Sequence, residues 1–210
     1  MRICTLISAS MTKSTAGMQT PMYRRVSLVT LGLALVCQAV WIAWRIGTIG
    51  FSFDDLRRPL AFSIAFLLVL VTGGRMRAVN ALGRVTIAIA FLLALWSRFQ
   101  NFPGFIRYAA SVLSFMPASS IATLAVAATI CEVTLSAAMF VGFRTRLASA
   151  ASSLLLLMFA TSMVISGLDQ FEWAVYVLAA GAFVLATTDA TLFGVDALLT
   201  RKEKVSPVAT

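Results

Sequence analysis

The sequence predicts an all-α integral membrane protein, a bundle of about six transmembrane helices that contains a smaller four-helix unit. Of its 210 residues, 60% are hydrophobic and only 12% are charged. An ordinary soluble domain carries about 25% charged residues and about 45–50% apolar ones. So few charges would not cover the surface of a soluble protein of this size, whereas lipid tails solvate an apolar exterior. The bilayer is therefore the first predicted partner.

The distribution of charge is the second observation. The formal net charge is +9, which by itself would also suit a nucleic-acid-binding protein. The arginines and lysines, however, fall in short clusters between hydrophobic runs, as they do in membrane proteins that follow the positive-inside rule. We therefore predict no nucleic-acid partner.

Missing residue types exclude several kinds of chemistry. The chain has no histidine, which excludes a bis-histidine haem and imidazole-rich copper sites. Its cysteines, Cys4, Cys37 and Cys131, are isolated and form no CxxC pair, which argues against a disulfide framework or a thiol oxidoreductase motif. No metal-ligand cluster, phosphate-binding glycine loop or nucleophile elbow is present. We predict no metal site, no cofactor held covalently or by histidine, and no enzymatic activity of the chain alone.

The N-terminal third predicts a tail and two spans. Residues 1–25 are predicted to form a disordered cytoplasmic tail, and residues 26–81 hold two transmembrane segments. The first runs from Val26 to Thr48, about 35 Å as a helix and long enough for a core about 30 Å thick. The FSFDDLRRP stretch (51–59) is predicted to be a polar loop.

The second hydrophobic segment, Leu60 to Gly73, is short for a span, at about 21 Å as a helix. It either thins the membrane locally, extends back through Leu56, or forms a re-entrant segment. A full crossing is favoured because it keeps Arg24 and Arg25 on the cytoplasmic side.

Residues 82–199 are predicted to form the four-helix unit, followed by a basic tail at 200–210. Its predicted spans are 82–96, 119–143, 147–167 and 173–188. The stretch NFPGFIRYAASVLSFMP (101–117) is predicted to be an interfacial amphipathic helix. With six spans, the basic segments at residues 24–25, 75–77, 144–146 and 201–204 share one side. This arrangement predicts cytoplasmic N- and C-termini in the cytoplasmic (inner) membrane of a bacterium.

Glu132 is the most informative single position for function. It lies within an otherwise apolar span, where a carboxylate costs several kcal/mol unless it is paired, hydrated or protonated. It shares a helix face with Ala125, Thr129 and Ser136, which indicates a small, polar face directed into the bundle. Two hypotheses stay open: a proton-carrying or ligand-contacting acid in a cavity, or a structural partner for an arginine such as Arg84 or Arg146.

Other candidate residues have competing explanations. Arg98, at the end of its span, either holds an anion or a quinone oxygen at the outer rim or, as we favour, snorkels to the interface. Asp189 and Asp196 either cap helices, which we favour, or form a docking surface for a soluble partner. Tyr176 either lines a cavity or belongs to an aromatic belt. Arg146 is better explained as a topology determinant than as a ligand group.

Several short motifs of the C-terminal half resemble the DoxX family, including the related DoxD membrane subunit of thiosulfate:quinone oxidoreductase. They are LGRVTIAIAFLLALWSRFQNFPGFIRYAASV, ICEVTLSAAMFVGFRTRLASAASSLLLLMFATSM and GVDALL, and they cover roughly residues 82–199. The resemblance implies functional weight at Arg84, Arg98, Glu132, Arg146 and Asp196. Arg98 stands where many members have lysine, and the glycine usually found just before it is absent.

The resemblance and the buried acid together favour an accessory subunit of a redox assembly. Such a subunit would anchor a soluble redox enzyme that handles thiol or sulfur compounds, beside the quinone pool, with a quinone as the expected ligand near Glu132 and Arg98. Two alternatives stay open: a small proton-coupled transporter or permeability protein that uses Glu132, and a structural assembly factor. A homo-oligomer is compatible with each of them.

Overall fold

The computed structural model describes residues 21–49, 53–167, 172–188 and 194–196. Within these ranges the regular structure is entirely α-helical. The seven helices are α1 (Pro21–Ile49), α2 (Phe53–Val71), α3 (Arg77–Gln100), α4 (Phe102–Val112), α5 (Ala118–Val141), α6 (Thr145–Ile165) and α7 (Glu172–Thr187). The predicted tails, up to residue 20 and from residue 200, lie outside the described residues.

Four of the described helices, α1, α3, α5 and α6, are long and apolar enough to cross a membrane. Helix α7 is equally apolar but has only 16 residues, about 24 Å. Helix α2 has 19 residues, about 28 Å, and begins with a charged turn. The predicted class, an all-α membrane protein, is confirmed.

Helix α2 differs from the sequence prediction. The proposed loop at 51–59 is wrong from Phe53 onward, because the helix begins there and runs through Pro59. Proline in a helix interior removes one hydrogen bond, but membrane helices tolerate it because neighbouring groups satisfy the freed carbonyl. Acidic residues at a helix start are also favourable. Of the three alternatives for the short segment, extension back through Leu56 matches the structure.

Helices α5, α6 and α7 begin and end within two residues of their predicted spans. Helix α1 begins at Pro21, inside the stretch predicted to be a tail, and α3 extends past both predicted ends of its span. The stretch predicted to be an interfacial helix forms α4, whose 11 residues reach about 16 Å and are too short to cross.

The core is centred on α7, which packs against α1, α2, α3 and most extensively α6. Its Val177, Ala182 and Val184 are completely buried, as expected for a helix that is apolar on all sides. Gly181 allows the fully buried Phe66 ring to approach, since a Cβ built there would lie 2.1 Å from Phe66 Cε1.

One end of the bundle is fixed by polar contacts between helix ends. Arg24 Nε on α1 donates to the Gly73 carbonyl after α2 at 3.0 Å. Near it, the hydroxyls of Ser27 and Thr187 lie 3.0 Å apart. These contacts bring together the start of α1, the end of α2 and the end of α7, so α1 runs antiparallel to both.

Candidate functional site

The candidate site is built on an ion pair between α3 and α5. Arg98 Nη2 donates to Glu132 Oε1 at 2.8 Å, and Arg98 Nη1 lies 2.7 Å from Glu132 Oε2. One charge-assisted hydrogen bond and one close ionic contact therefore join the guanidinium to the carboxylate, and hydrogen bonds between ionised groups are stronger than neutral ones. The side chains of Arg98 and Glu132 are 12% and 1% exposed.

Helix register and side-chain direction explain how the two residues meet. Ser136 Oγ on α5 donates to the Ala88 carbonyl on α3 at 3.1 Å, so with the ion pair it shows that the helices are antiparallel. Measured from that contact along the helix axes, Arg98 lies about 15 Å toward the end of α3, whereas Glu132 lies only about 6 Å toward the start of α5. The gap of about 9 Å is closed by the side chains, because each Cα–Cβ bond tilts toward the start of its own helix and therefore toward the other residue.

Helix α4 covers the pair from one side. The Arg98 guanidinium carbon lies 4.2 Å from the centroid of the Phe105 ring, a cation–π contact that holds the guanidinium plane. Asn101 caps the start of this helix, and its Oδ1 accepts the N–H of Gly104 at 2.9 Å, so Phe105 directly follows the residue whose N–H is capped. The capped turn thus positions the aromatic ring on the arginine.

A cavity of about 570 Å³ opens beside the ion pair. Its volume lies within the ~300–1,000 Å³ typical of small-molecule sites. Its walls come from all the helices except α1, and they are mostly apolar. The described lining residues include Arg58, Phe62, Phe91, Ser97, Arg98, Asn101, Phe105, Tyr108, Glu132, Leu156, Phe159 and Leu178. A mainly apolar ligand with a few hydrogen-bonding groups would match these walls.

The structure corrects two expectations about the charged residues. Arg98 was expected to snorkel to the interface, but its side chain turns inward and is almost covered. The partner suggested for Glu132 was Arg84 or Arg146, whereas the observed partner is Arg98. Both corrections have the same cause, since the relative register of α3 and α5 decides which cation reaches the acid.

Asp196 caps α6 from a distant part of the chain. Its Oδ1 accepts the N–H of Arg144 at 2.8 Å, and its Oδ2 accepts the N–H and hydroxyl of Thr145 at 2.8 and 3.0 Å. Arg144 has φ 44, a left-handed conformation that costs energy in a non-glycine residue. Burial raises the pKa of Asp196, but these hydrogen bonds and the charge of Arg84 outweigh it, so the pKa lies below its ordinary value.

The remaining predicted site residues lie apart from the ion pair. Arg84 is 4% exposed and interacts electrostatically with Asp196, at the opposite end of α3 from Arg98. Arg146 is exposed in the first turn of α6. Tyr176 lines a second, apolar cavity of about 660 Å³ between α1, α6 and α7. Asp189 lies outside the described residues, and docking of a partner at Asp196 stays a prediction.

Three residues of the site were missed by the sequence analysis: Arg58, Phe105 and Tyr108. Phe105 and Tyr108 stand on α4 three residues apart, a helical spacing that places both on one face and was the available signal. Partial burial raises the pKa of the Tyr108 hydroxyl, whose side chain is half-exposed, against the effect of Arg98. The hydroxyl therefore keeps its proton, and its capacity to donate a hydrogen bond, at neutral pH. Arg58 lay in the stretch predicted to be a loop and carried no signal.

The fold and the site together define a helical integral membrane protein with a charged pair beside a mainly apolar cavity. A family-model comparison matches residues 79–167 to DoxX. This central region therefore matches the DoxX family, and the resemblance recognised in its motifs is confirmed there. The matched region contains Arg98 and Glu132 and ends with α6. No curated protein and no solved structure matches the chain.

Proposed function

We propose that this protein is an accessory subunit of a redox assembly in the bacterial cytoplasmic membrane, and that the cavity beside Arg98 and Glu132 binds a quinone. The observation that carries the proposal is the Arg98–Glu132 ion pair at the wall of a mainly apolar cavity in a membrane bundle. Ionisable residues inside a membrane are expensive and mark functional sites by default.

The chemistry of the lining suits a quinone head group. A quinone is a flat apolar ring whose two carbonyl oxygens accept hydrogen bonds. The Arg98 guanidinium has five N–H donors, not all of which contact Glu132, and Tyr108 adds a hydroxyl donor. Phe91, Leu156 and Leu178 supply apolar wall.

The same groups suit proton handling during quinone reduction. A quinone becomes a quinol by taking up two electrons into its ring system and two protons, one at each carbonyl oxygen. In our proposal the electrons come from a soluble enzyme that oxidises a thiol or sulfur compound, while Glu132 and Tyr108 border the route by which protons reach the oxygens. The enzymatic activity then belongs to the assembly and not to this chain alone.

Binding of a short-chain quinone tests the cavity. The purified chain in lipid nanodiscs would be titrated with decylubiquinone, with empty nanodiscs as the partition control. We expect Arg98→Gln to weaken binding roughly tenfold, as for loss of a hydrogen bond to a charged group. Arg107→Gln is the matched control, because Arg107 is an exposed arginine of α4 outside the described cavity wall. Equal binding by wild type and Arg98→Gln would reject the site.

Purification from the native membrane in mild detergent tests the assembly. A stoichiometric soluble redox enzyme should accompany the chain, and Glu132→Gln should slow electron transfer from that enzyme to quinone without releasing it. A homo-oligomer without a partner would instead favour the transporter alternative. Proton-linked flux in liposomes containing only this chain would then be the next measurement.

A further inference from the structure

The cavity contains a second cation that the proposed quinone site does not need. Arg58, in the second turn of α2, lines the same cavity as Arg98 and Glu132. Among the described lining residues these three are the charged ones, two positive and one negative. Arg98 balances the charge of Glu132 through two short contacts. The charge of Arg58 therefore leaves the described wall with a net charge of one positive unit.

Position separates the roles of the two arginines. Arg98 is nearly covered and stacked on Phe105, whereas Arg58 is exposed at the edge of the cavity. Pro59 and Phe62, which follow Arg58 on α2, lie on the same wall. A ligand that fills this cavity would therefore lie within reach of both arginines.

The charge of the cavity wall indicates which class of ligand the cavity binds. A neutral ligand leaves the exposed Arg58 guanidinium to water, whereas a ligand with one negative charge would contact it directly. Charge-assisted hydrogen bonds from arginine to an anionic oxygen are about twice as strong as neutral ones. The apolar remainder of the wall excludes a small, strongly hydrated anion, because such an ion would lose its water without replacement.

From these observations we infer that the cavity takes a lipophilic ligand with a single anionic oxygen group, and that Arg58 selects for that charge. The inference rests on the proposed function in one respect, that the cavity beside Arg98 is a ligand site. It adds the charge of the ligand and the residue that recognises it. For a redox ligand the fitting class is an acidic quinone, such as a ring with an ionised hydroxyl group.

A matched pair of probes tests the inference. An alkyl hydroxynaphthoquinone is ionised at neutral pH, whereas the corresponding alkyl methylnaphthoquinone is neutral and has almost the same shape. Both would be titrated into the chain in nanodiscs of uncharged lipid, with empty nanodiscs subtracted. We expect wild type to bind the ionised probe roughly tenfold more tightly than the neutral one.

Variants assign the preference to Arg58. In Arg58→Gln the preference should fall to within roughly twofold, while affinity for the neutral probe stays unchanged. Arg57→Gln, its neighbour outside the described cavity wall, should keep the full preference. No preference in wild type, or full preference in Arg58→Gln, would overturn the inference.

The two probes also separate this inference from the proposed function. Binding of the neutral probe that depends on Arg98, with no gain for the ionised probe, would leave the quinone site standing and remove the charge selection. Binding of the ionised probe alone, dependent on Arg58, would support the selection and count against a site for neutral quinones. A thermal unfolding midpoint equal to that of wild type would show that Arg58→Gln is folded.

Discussion

Replacing one member of the Arg98–Glu132 ion pair should destabilise the protein far more than replacing both members together. In Arg98→Gln, Glu132 keeps its carboxylate with 1% of its side chain exposed and loses both close contacts. Opposite charges about 4 Å apart attract by about 4 kcal/mol at an effective dielectric constant of about 20. Removing one partner of a buried pair typically costs about 3–5 kcal/mol.

The site itself reduces that cost. Glu132 borders a cavity, where water or a proton can partly replace Arg98. We therefore expect Arg98→Gln to lower the free energy of unfolding by about 2–4 kcal/mol. The double variant Arg98→Met with Glu132→Leu leaves no buried charge and should lie within about 1 kcal/mol of wild type.

The assay is equilibrium unfolding in mixed micelles by a denaturing detergent, followed by circular dichroism of the helices. Arg107→Gln is the control, since this exposed arginine should change stability by less than about 0.5 kcal/mol. A double-variant effect equal to the sum of the effects of Arg98→Met and Glu132→Leu measured singly would refute the reasoning, because it would show that the charges do not interact.

Three further predictions concern contacts outside the ion pair. Asp196→Asn should lower the free energy of unfolding by about 1–2 kcal/mol because it weakens the cap on α6. Since the folded-state pKa of Asp196 is depressed, wild type should lose this stability as pH falls through that pKa, whereas the variant should not. Thermal melts across pH measure this difference. Gly181→Ala should cost about 1–3 kcal/mol by overpacking Phe66, measured by detergent unfolding, whereas Gly32→Ala, whose new Cβ would meet its nearest atom at 3.8 Å, should be neutral. Ser136→Ala should cost about 0.6 kcal/mol by the same measurement, the average for a hydrogen bond between membrane helices.

Hydropathy predicted the helices well because lipid imposes one rule on every residue along a span. Each backbone group in the hydrocarbon region must be bonded internally, so long apolar runs become helices. The rule says nothing about a polar stretch, which is why residues from Phe53 to Pro59 were predicted to be a loop and are helical in the structure. Proline is a weaker stop signal in a membrane helix than in a soluble one.

Of the ion pair in the candidate site, the sequence indicated Glu132 but not its partner. Glu132 stood out because a carboxylate within an apolar run is costly. Its partner depended on register, which is set by contacts such as that of Ser136 with the Ala88 carbonyl and has no local sequence signal. The cap on α6 supplied by Asp196 likewise joins residues about fifty positions apart, and only the folded chain brings them together.

The most direct test of the quinone site is photoaffinity labelling with an azidoquinone in native membranes, followed by peptide mapping. Labelling should fall on α4, near Phe105 and Tyr108, and on the facing part of α6 near Leu156. Excess decylubiquinone should prevent this labelling. Labelling should also be strongly reduced in Arg98→Gln but not in Arg107→Gln. Labelling confined to the lipid-facing surface, or unaffected by competitor and by Arg98→Gln, would contradict a quinone site beside the ion pair.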